Sequence, residues 1–494
     1  MAERILLTNC NLYYNDAIHY GVHLLIEDQK IVNVIEDTED LHVDAYKFDL
    51  TGKFVYPGFV DTHTHSFEGG LYTGGLNLSQ CSSIAELLDA IRNHIERANP
   101  DTTLFCWAFD ENKIREKRFP SAAELRGLSD KLEIIIRRID GHSCVINSIL
   151  AGKLDRDPEI IHRGGDNDHI VHHLHHNLDE ASIINAYDVA SQQALKGGFT
   201  SIHTMVGDAE NSITHYRLLD GIKHQFPVRY LLYPQSFNLE QALDAGASRI
   251  GGCILADGSF GSYTAAISEK YFGREGNGVL YHDSHFWMDF ITQAHRHNLQ
   301  VAIHCIGDRA IKQINDVYLH LNRTDPKDLR HELIHMELTP DFLIDEIAAS
   351  GANAVVQPSF DLYWGGDGRF YEQVLGKERA LQMNRFNTLL QKGVNVCFGS
   401  DWYITELNAL QGIFAAVNHH NPEERITIDE AIRAYTINAA RLSHDEHEYG
   451  LIAPGYYADL CVYDSPLDDL VGAQTITPRL VSVFRHGKLV HHNE

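Results

Sequence analysis

No apolar stretch in this chain approaches the length needed to span a bilayer, and its first residues, MAERILLTNC, lack the apolar core of a secretory signal. A membrane protein is therefore not expected, and a cytoplasmic location is. Basic residues are scarce, 41 against 68 acidic ones, for a formal net charge of −27. That balance argues against nucleic acid or an anionic membrane as a partner and for a soluble protein. The eight cysteines are dispersed, with no CxxC pair, which points to reduced thiols rather than a disulfide framework. There is no GxSxG nucleophile elbow. The Gly-Gly pairs at 69–70, 164–165 and 365–366 lack the strand-to-helix setting of a nucleotide loop.

What is abundant is histidine, with 31 copies in 494 residues. Hydrophobic content of 44% and charged content of 22% are ordinary, and the length allows more than one domain. Two of the histidines end the run Tyr56-Pro57-Gly58-Phe59-Val60-Asp61-Thr62-His63-Thr64-His65. Side chains alternate along a strand, so Asp61, His63 and His65 share one face, with the imidazoles about 7 Å apart. Two such rings can converge on a metal ion. The competing interpretation is a buried strand with incidental histidines.

Residues 1–56 read as short strands at Arg4–Thr8, Val22–Glu27, Lys30–Val34 and Phe54–Tyr56, and residues 450–494 add Asp459–Tyr463, Val481–Arg485 and Lys488–His491. Each end is too small for its own core, so the two are expected to form one β-sandwich, with 57–449 inserted between them. Within 57–449, near-continuous apolar strands alternate with helical segments. The strands are Val55–His65, Phe199–His203, Val228–Tyr233, Gly252–Ala256, Val301–Cys305, Leu333–Met336, Ala352–Gln357 and Val394–Gly399. Helices are expected at Ser182–Leu195, Trp287–His297, Arg309–Leu319, Pro340–Ala349 and Glu378–Gln391. The fold class is thus α/β, a (β/α)8 TIM-type barrel with a small β-sandwich. A long insertion at about 66–196, with a helix at Ile84–Arg97 and strands at Leu104–Trp107 and Ile134–Ile139, is expected to cap the barrel mouth.

Several barrel strands end in side chains that a structural strand does not need. Strand five ends Val301-Ala302-Ile303-His304, strand six Leu333-Ile334-His335, and strand eight runs into Phe398-Gly399-Ser400-Asp401. All strand ends of a parallel barrel meet at one mouth. His63, His65, His304, His335 and Asp401 are therefore expected to converge, although a single strand-ending histidine is more often structural.

In these segments the chain resembles the amidohydrolase superfamily, in the branch that contains N-substituted formamide deformylases. The resemblance spans nearly the whole chain and rests on PGFVDTHTH, IDGHSCVINS, GGFTSIHT, LADGSFGSYTAA, VAIHCIGDRAI, FGSDWYI, YTINAARL and APGYYADLCVYD. It implies one or two divalent metals, commonly zinc, and hydrolysis at carbon. It also implies that His63, His65, His304 and His335 are metal ligands and that Asp401 binds metal and handles protons. Many relatives carry a carboxylated lysine on strand four. This chain has Gly251-Gly252-Cys253-Ile254 there, with no lysine. Cys253 is either a thiolate ligand, as in D-aminoacylase-like relatives, or a small core residue. The first alternative gives one metal at His63, His65 and Asp401 and a second at His304 and His335, joined by Cys253; a single-metal site competes with it.

His142, in the Asp140-Gly141-His142 segment, is a candidate hydrogen-bond donor to the substrate carbonyl or, equally, a packing residue. Asp257 reads as mainly architectural, with an orienting role from behind the ligands as the alternative. Arg309 is expected in a structural salt bridge. Trp107, Phe260, Tyr363, Trp364 and Trp402 are candidates for an aromatic pocket wall or for packing. The histidines of 169–176 read as a solvated polar loop. The expectation is a metal-dependent hydrolase that cleaves a C–N bond of an amide-like small molecule, N-acyl or N-formyl. A different reaction on the same metal barrel, or a non-catalytic scaffold, are the rivals. A homodimer is carried as an expectation of assembly.

Overall fold

The run from Phe54 to Thr64 belongs to two sheets. Phe54–Pro57 pairs antiparallel with Leu460–Tyr463, whereas Phe59–Thr64 pairs with Phe199–Val206 in the barrel. Pro57-Gly58 divides the two, and the Gly58 amide donates to the Asp459 carbonyl at 2.7 Å. The computed structural model describes residues 4–36, 44–96, 103–139, 141, 143–176, 178–207 and 212–493. The chain divides into two compact units, one of residues up to His65 together with Ser191 onward, the other Ser66–Ala190.

In the first unit both chain ends build one eight-stranded sheet, the β-sandwich. Its long first strand, Arg4–Tyr14, pairs with Tyr46–Asp49 near its start and with Phe54–Pro57 further on. The register against Ala17–Glu27 shifts between Leu7 and Cys10, where Asn9 takes φ 58°. Asparagine tolerates this left-handed conformation, and the bulge lets the sheet bend over its own core. Ile5, Leu7, Leu24 and Ile26 from the N-terminal strands pack there with Leu460, Val462 and Phe484.

Eight parallel strands form the barrel: Phe59–Thr64, Phe199–Val206, Arg229–Pro234, Arg249–Leu255, Gln300–Cys305, Glu332–His335, Asn353–Val356 and Val396–Phe398. Strands one to three pair in the order three-two-one and strands four to eight pair consecutively. Most of their residues are buried on both faces, as their unbroken apolar sequences require. Strand eight is short and meets strand one through a few specific bonds. Thr62 Oγ1 donates to the Phe398 carbonyl at 2.8 Å. The Asp401 amide donates to the His63 carbonyl at 2.9 Å, and the His65 amide to the Trp402 carbonyl at 2.7 Å. Asp61, fully buried, accepts from the amides of His63 and Ser400, both at 3.0 Å.

Two expectations on local structure are corrected. The histidine-rich segment 169–176 is not a loop; it lies in helix Gly165–His176, because Ile170 and Leu174, spaced i and i+4, give it a buried apolar edge. The expected helix over Glu378–Gln391 breaks into Lys377–Ala380 and Phe386–Gln391. Between them the Asn384 amide donates to the Glu337 carbonyl at 2.8 Å, and Asn384 adopts φ 53°. A tertiary bond has replaced the helical one.

The second unit holds a five-stranded sheet in the order His162–Arg163, Ser143–Ile146, Ile134–Arg138, Leu104–Phe109, Leu76–Asn77. Its core includes Leu87 and Ile91 of helix Ile84–Ile95 with Leu104, Phe109, Ile134 and Ile136. Among the described residues no helix is long and apolar enough to cross a membrane.

Removing the Asp61 carboxylate strands two buried amide donors at the strand-one to strand-eight seam. Asp61→Ala is expected to lower stability by about 2–4 kcal/mol. Urea and thermal unfolding, compared with wild type, measure the loss.

Candidate metal centre

Five of the sequence-predicted residues meet at the barrel mouth. His63 ends up fully buried and His65 nearly so, on one face of strand one as the alternation requires. His335 closes strand six, and Asp401 follows strand eight. Asp401 Oδ1 lies 3.2 Å from both His63 Nε2 and His65 Nε2. The donor atoms of His63, His65 and Cys253, and those of His63, His335 and Asp401, form two groups, each within 4.8 Å. His335 and Asp401 have φ of 73° and 55°, values that ordinary side chains seldom adopt. Such backbone persists where surrounding structure over-determines it, commonly at functional sites.

Cys253 reaches this group through a bulge. Gly251 and Gly252 have φ of 97° and 91°, and the register between strands four and five shifts between Gly251 and Ile254. A Cβ on Gly251 would stand 2.1 Å from the Ala302 carbonyl oxygen, and one on Gly252 1.9 Å from Met205 Sδ. Only glycine fits both positions. The bulge re-aims the next side chain, as bulges beside active sites do.

Burial and neighbouring charges oppose one another across the cluster. Burial drives the Cys253 thiol up, but the field of His65 and hydrogen bonds with His335, His63 and His65 outweigh it and hold the thiol well below its usual range. Burial likewise raises Asp401, yet His63 and His65 beside it hold the carboxyl far below the ordinary carboxylate range. Two anionic donors are thus kept ionised in a buried place. Burial lowers His63, and Asp401 and Cys253 more than reverse this, bringing it to about 9. Protons on the imidazoles stand where positive charge is required. His304 is different: burial and the adjacent His335 push it down to about 3, so its ring is neutral.

His304 lies outside the tight donor groups. Its ring centre is 4.5 Å from that of His335, and its Nδ1 is 3.7 Å from Asp257 Oδ1, beyond hydrogen-bond reach. Asp257 accepts from the amides of Ala266, Ile306 and Gly307 at 2.8, 2.9 and 2.8 Å, which makes it the clasp between the loops after strands four and five. Asp61 backs strand one as described above. Arg309 forms no ion pair among the described residues; the neighbouring Asp308 instead binds the backbone and hydroxyl of Ser268. His142 lies outside the described residues. Phe260 is buried against Tyr271 and Tyr371, and Tyr363 bonds Glu406 and Gln411, so these two aromatics pack with their neighbours. Trp364 packs on Phe360 with ring centres 4.6 Å apart.

Two contacts of His335 escaped the sequence analysis. Its Nδ1 is 2.7 Å from Gln357 Oε1, just past strand seven, and its ring stacks on Phe360 at 6.0 Å. A carboxamide oxygen there fixes the proton on Nδ1 and leaves the Nε2 lone pair for the cluster. Gln357 carries the signature used for the other strands, a polar residue that ends an apolar run, but an amide is not itself a metal ligand of first choice.

The sequence profile of the amidohydrolase family matches residues 47–491. The chain belongs to that family. This amidohydrolase is 27% identical to YtcJ of Bacillus subtilis over 494 aligned residues, 91% of each chain. It is 23% identical to N-substituted formamide deformylase of Arthrobacter pascens, over 95% of each chain. An uncharacterized metal-dependent hydrolase from Pyrococcus furiosus shares the fold, with TM-score 0.79 and 22% identity, covering 94% of this chain and 100% of that one.

The low-lying Cys253 thiol makes a direct prediction for the chelator-treated amidohydrolase. At neutral pH Cys253 is expected to be alkylated by iodoacetamide ahead of Cys10, Cys106, Cys305, Cys397 and Cys461, whose thiols burial pushes up. Peptide mass spectrometry over a time course reads the order. Gly251→Ala, which displaces the bulge, is expected to slow the Cys253 reaction and to destabilise the chain.

Proposed function

We propose that this amidohydrolase is a divalent-metal-dependent hydrolase that cleaves the C–N bond of a small amide-like molecule, an N-acyl or N-formyl amine. The observation that carries the proposal is the convergence of His63, His65, Cys253, His335 and Asp401 on one buried spot with both anionic donors ionised. His63 also fits such a role: it is fully buried, with Nε2 3.2 Å from Asp401 Oδ1. A set of imidazoles, one thiolate and one carboxylate suits zinc. In this proposal His63, His65, Cys253, His335 and Asp401 hold the ion or ions, with His304 alongside. A bound divalent ion supplies Lewis acidity toward a carbonyl oxygen and acidifies water near neutrality.

The chain's own groups do the rest. Asp401, held ionised, accepts the proton of the attacking water and delivers it to the leaving nitrogen. Its position 3.2 Å from two imidazoles orients the carboxylate for that exchange. Gln357 holds His335 in one tautomer, and Phe360 keeps its ring in place. The match over nearly the full length to a protein named N-substituted formamide deformylase supports the N-formyl branch of the substrate class.

Chelator-treated enzyme is expected to lose turnover of N-formyl and N-acyl amines and to regain it with added zinc. Asp401→Asn is expected to reduce kcat by about 10²–10⁴-fold with the fold retained, as judged by circular dichroism. His304→Ala is expected to fall in the same range. Turnover of esters but not amides across a substrate panel would redirect the proposal to C–O hydrolysis, and a wild-type rate for Asp401→Asn would refute the role of that residue.

A further inference from the structure

A second set of metal-competent side chains meets elsewhere in the same unit. Asp361 lies on helix Pro358–Trp364, and His419 and His420 follow helix Ala409–Val417. Asp361 is 2% exposed and His419 0%. One oxygen serves both rings: Asp361 Oδ1 is 2.5 Å from His420 Nδ1 and 3.1 Å from His419 Nε2. All three donor atoms lie within 4.8 Å of one another, a spacing close to that of the cluster around Asp401. The other carboxylate oxygen accepts from the His420 amide at 2.9 Å, which fixes the carboxylate plane.

A simple ion pair between Asp361 and His420 accounts for only part of this. His419 Nε2 is buried, points at the carboxylate and has no well-formed hydrogen bond. Leaving such an atom unpaired costs about 1–3 kcal/mol. The opposite nitrogen of the ring, Nδ1, accepts from the Asn421 amide at 3.1 Å and lies 3.2 Å from the Asn421 carbonyl oxygen. These two contacts to Asn421 anchor the ring with Nε2 facing Asp361 and His420. The space beside the donors is kept clear by Gly365, where a Cβ would stand 2.5 Å from Asp361 Oδ1 and 2.6 Å from His420 Nδ1.

We propose that Asp361, His419 and His420 form a second binding site for a divalent transition-metal ion, separate from the strand-end cluster. Two imidazoles and one carboxylate suit zinc and its first-row neighbours. The His420 side chain is 17% exposed, so the ion loads from solution and completes its shell with water. On binding, the ion takes the place of the hydrogen bond between His420 and Asp361. The ion ties the segment after strand seven to the segment after helix Ala409–Val417. It shares no residue with the strand-end cluster, so this proposal stands or falls apart from the assigned reaction.

The test uses the full-length chain, freed of metal by chelation and titrated with Zn²⁺ alone. Wild type is expected to bind one equivalent more per chain than His420→Gln, and its melting temperature to rise with that equivalent while the variant's does not. Turnover at the strand-end cluster is expected to be unchanged in His420→Gln. Anomalous diffraction at the zinc edge from zinc-treated wild-type crystals is expected to show a peak between Asp361 Oδ1, His419 Nε2 and His420 Nδ1. Equal stoichiometry in the two proteins overturns the site, as does a map with no peak there. If His420→Gln does not fold, the wild-type diffraction experiment decides alone.

Discussion

One buried carboxylate joins the closure of the barrel to the geometry of its mouth. Asp61 accepts the amides of His63 and Ser400, so the same side chain holds strand one against the end of strand eight and sets the spacing between His63 and Asp401. Burial raises this carboxyl to about 7, and only the donors packed around it make its position tolerable. Strand eight spans just Val396–Phe398, too short to fix its register by ladder bonds alone. The Asp61 clasp, the Thr62 hydroxyl and two backbone bonds supply what the ladder lacks. Closure and donor placement are therefore one constraint.

Below the mouth, the polar pattern continues into the barrel interior in a satisfied form. Tyr233 donates to Glu332 Oε1 at 2.7 Å and lies 3.1 Å from His203 Nδ1, linking strands two, three and six. Burial pushes Glu332 up to about 7 and holds His203 well below its usual range, so both tend toward their neutral forms. The contrast with the mouth is informative. There the anionic donors Cys253 and Asp401 are held ionised by the imidazoles of His63, His65 and His335 around them.

The strands and their polar ends were legible because a parallel barrel imposes a simple code, an apolar run covered on both faces followed by a functional side chain at its C-terminal end. His63, His335 and Asp401 obey it, and so does Gln357, whose chemistry drew no attention because a carboxamide positions His335 rather than resembling a metal-ligating group. The histidines at 169–176 misled for the opposite reason. Their polarity outweighed the two apolar residues, Ile170 and Leu174, that decide the helix. The break at Asn384 was not legible at all, since it answers to a bond with Glu337 rather than to any local preference.

Sequence alone determined the membership in the barrel of each strand and which side chains stand at strand ends, because periodicity and burial act along the chain within a few residues. The tertiary structure decided which donors share a centre. It gathered His63, His65, Cys253, His335 and Asp401, set His304 to one side against His335, and turned Cys253 inward through a bulge that two glycines permit. It also brought Asp361 to His419 and His420, residues with no motif between them. Distances between side chains remote in sequence depend on how strands close and loops return, and no local pattern encodes them.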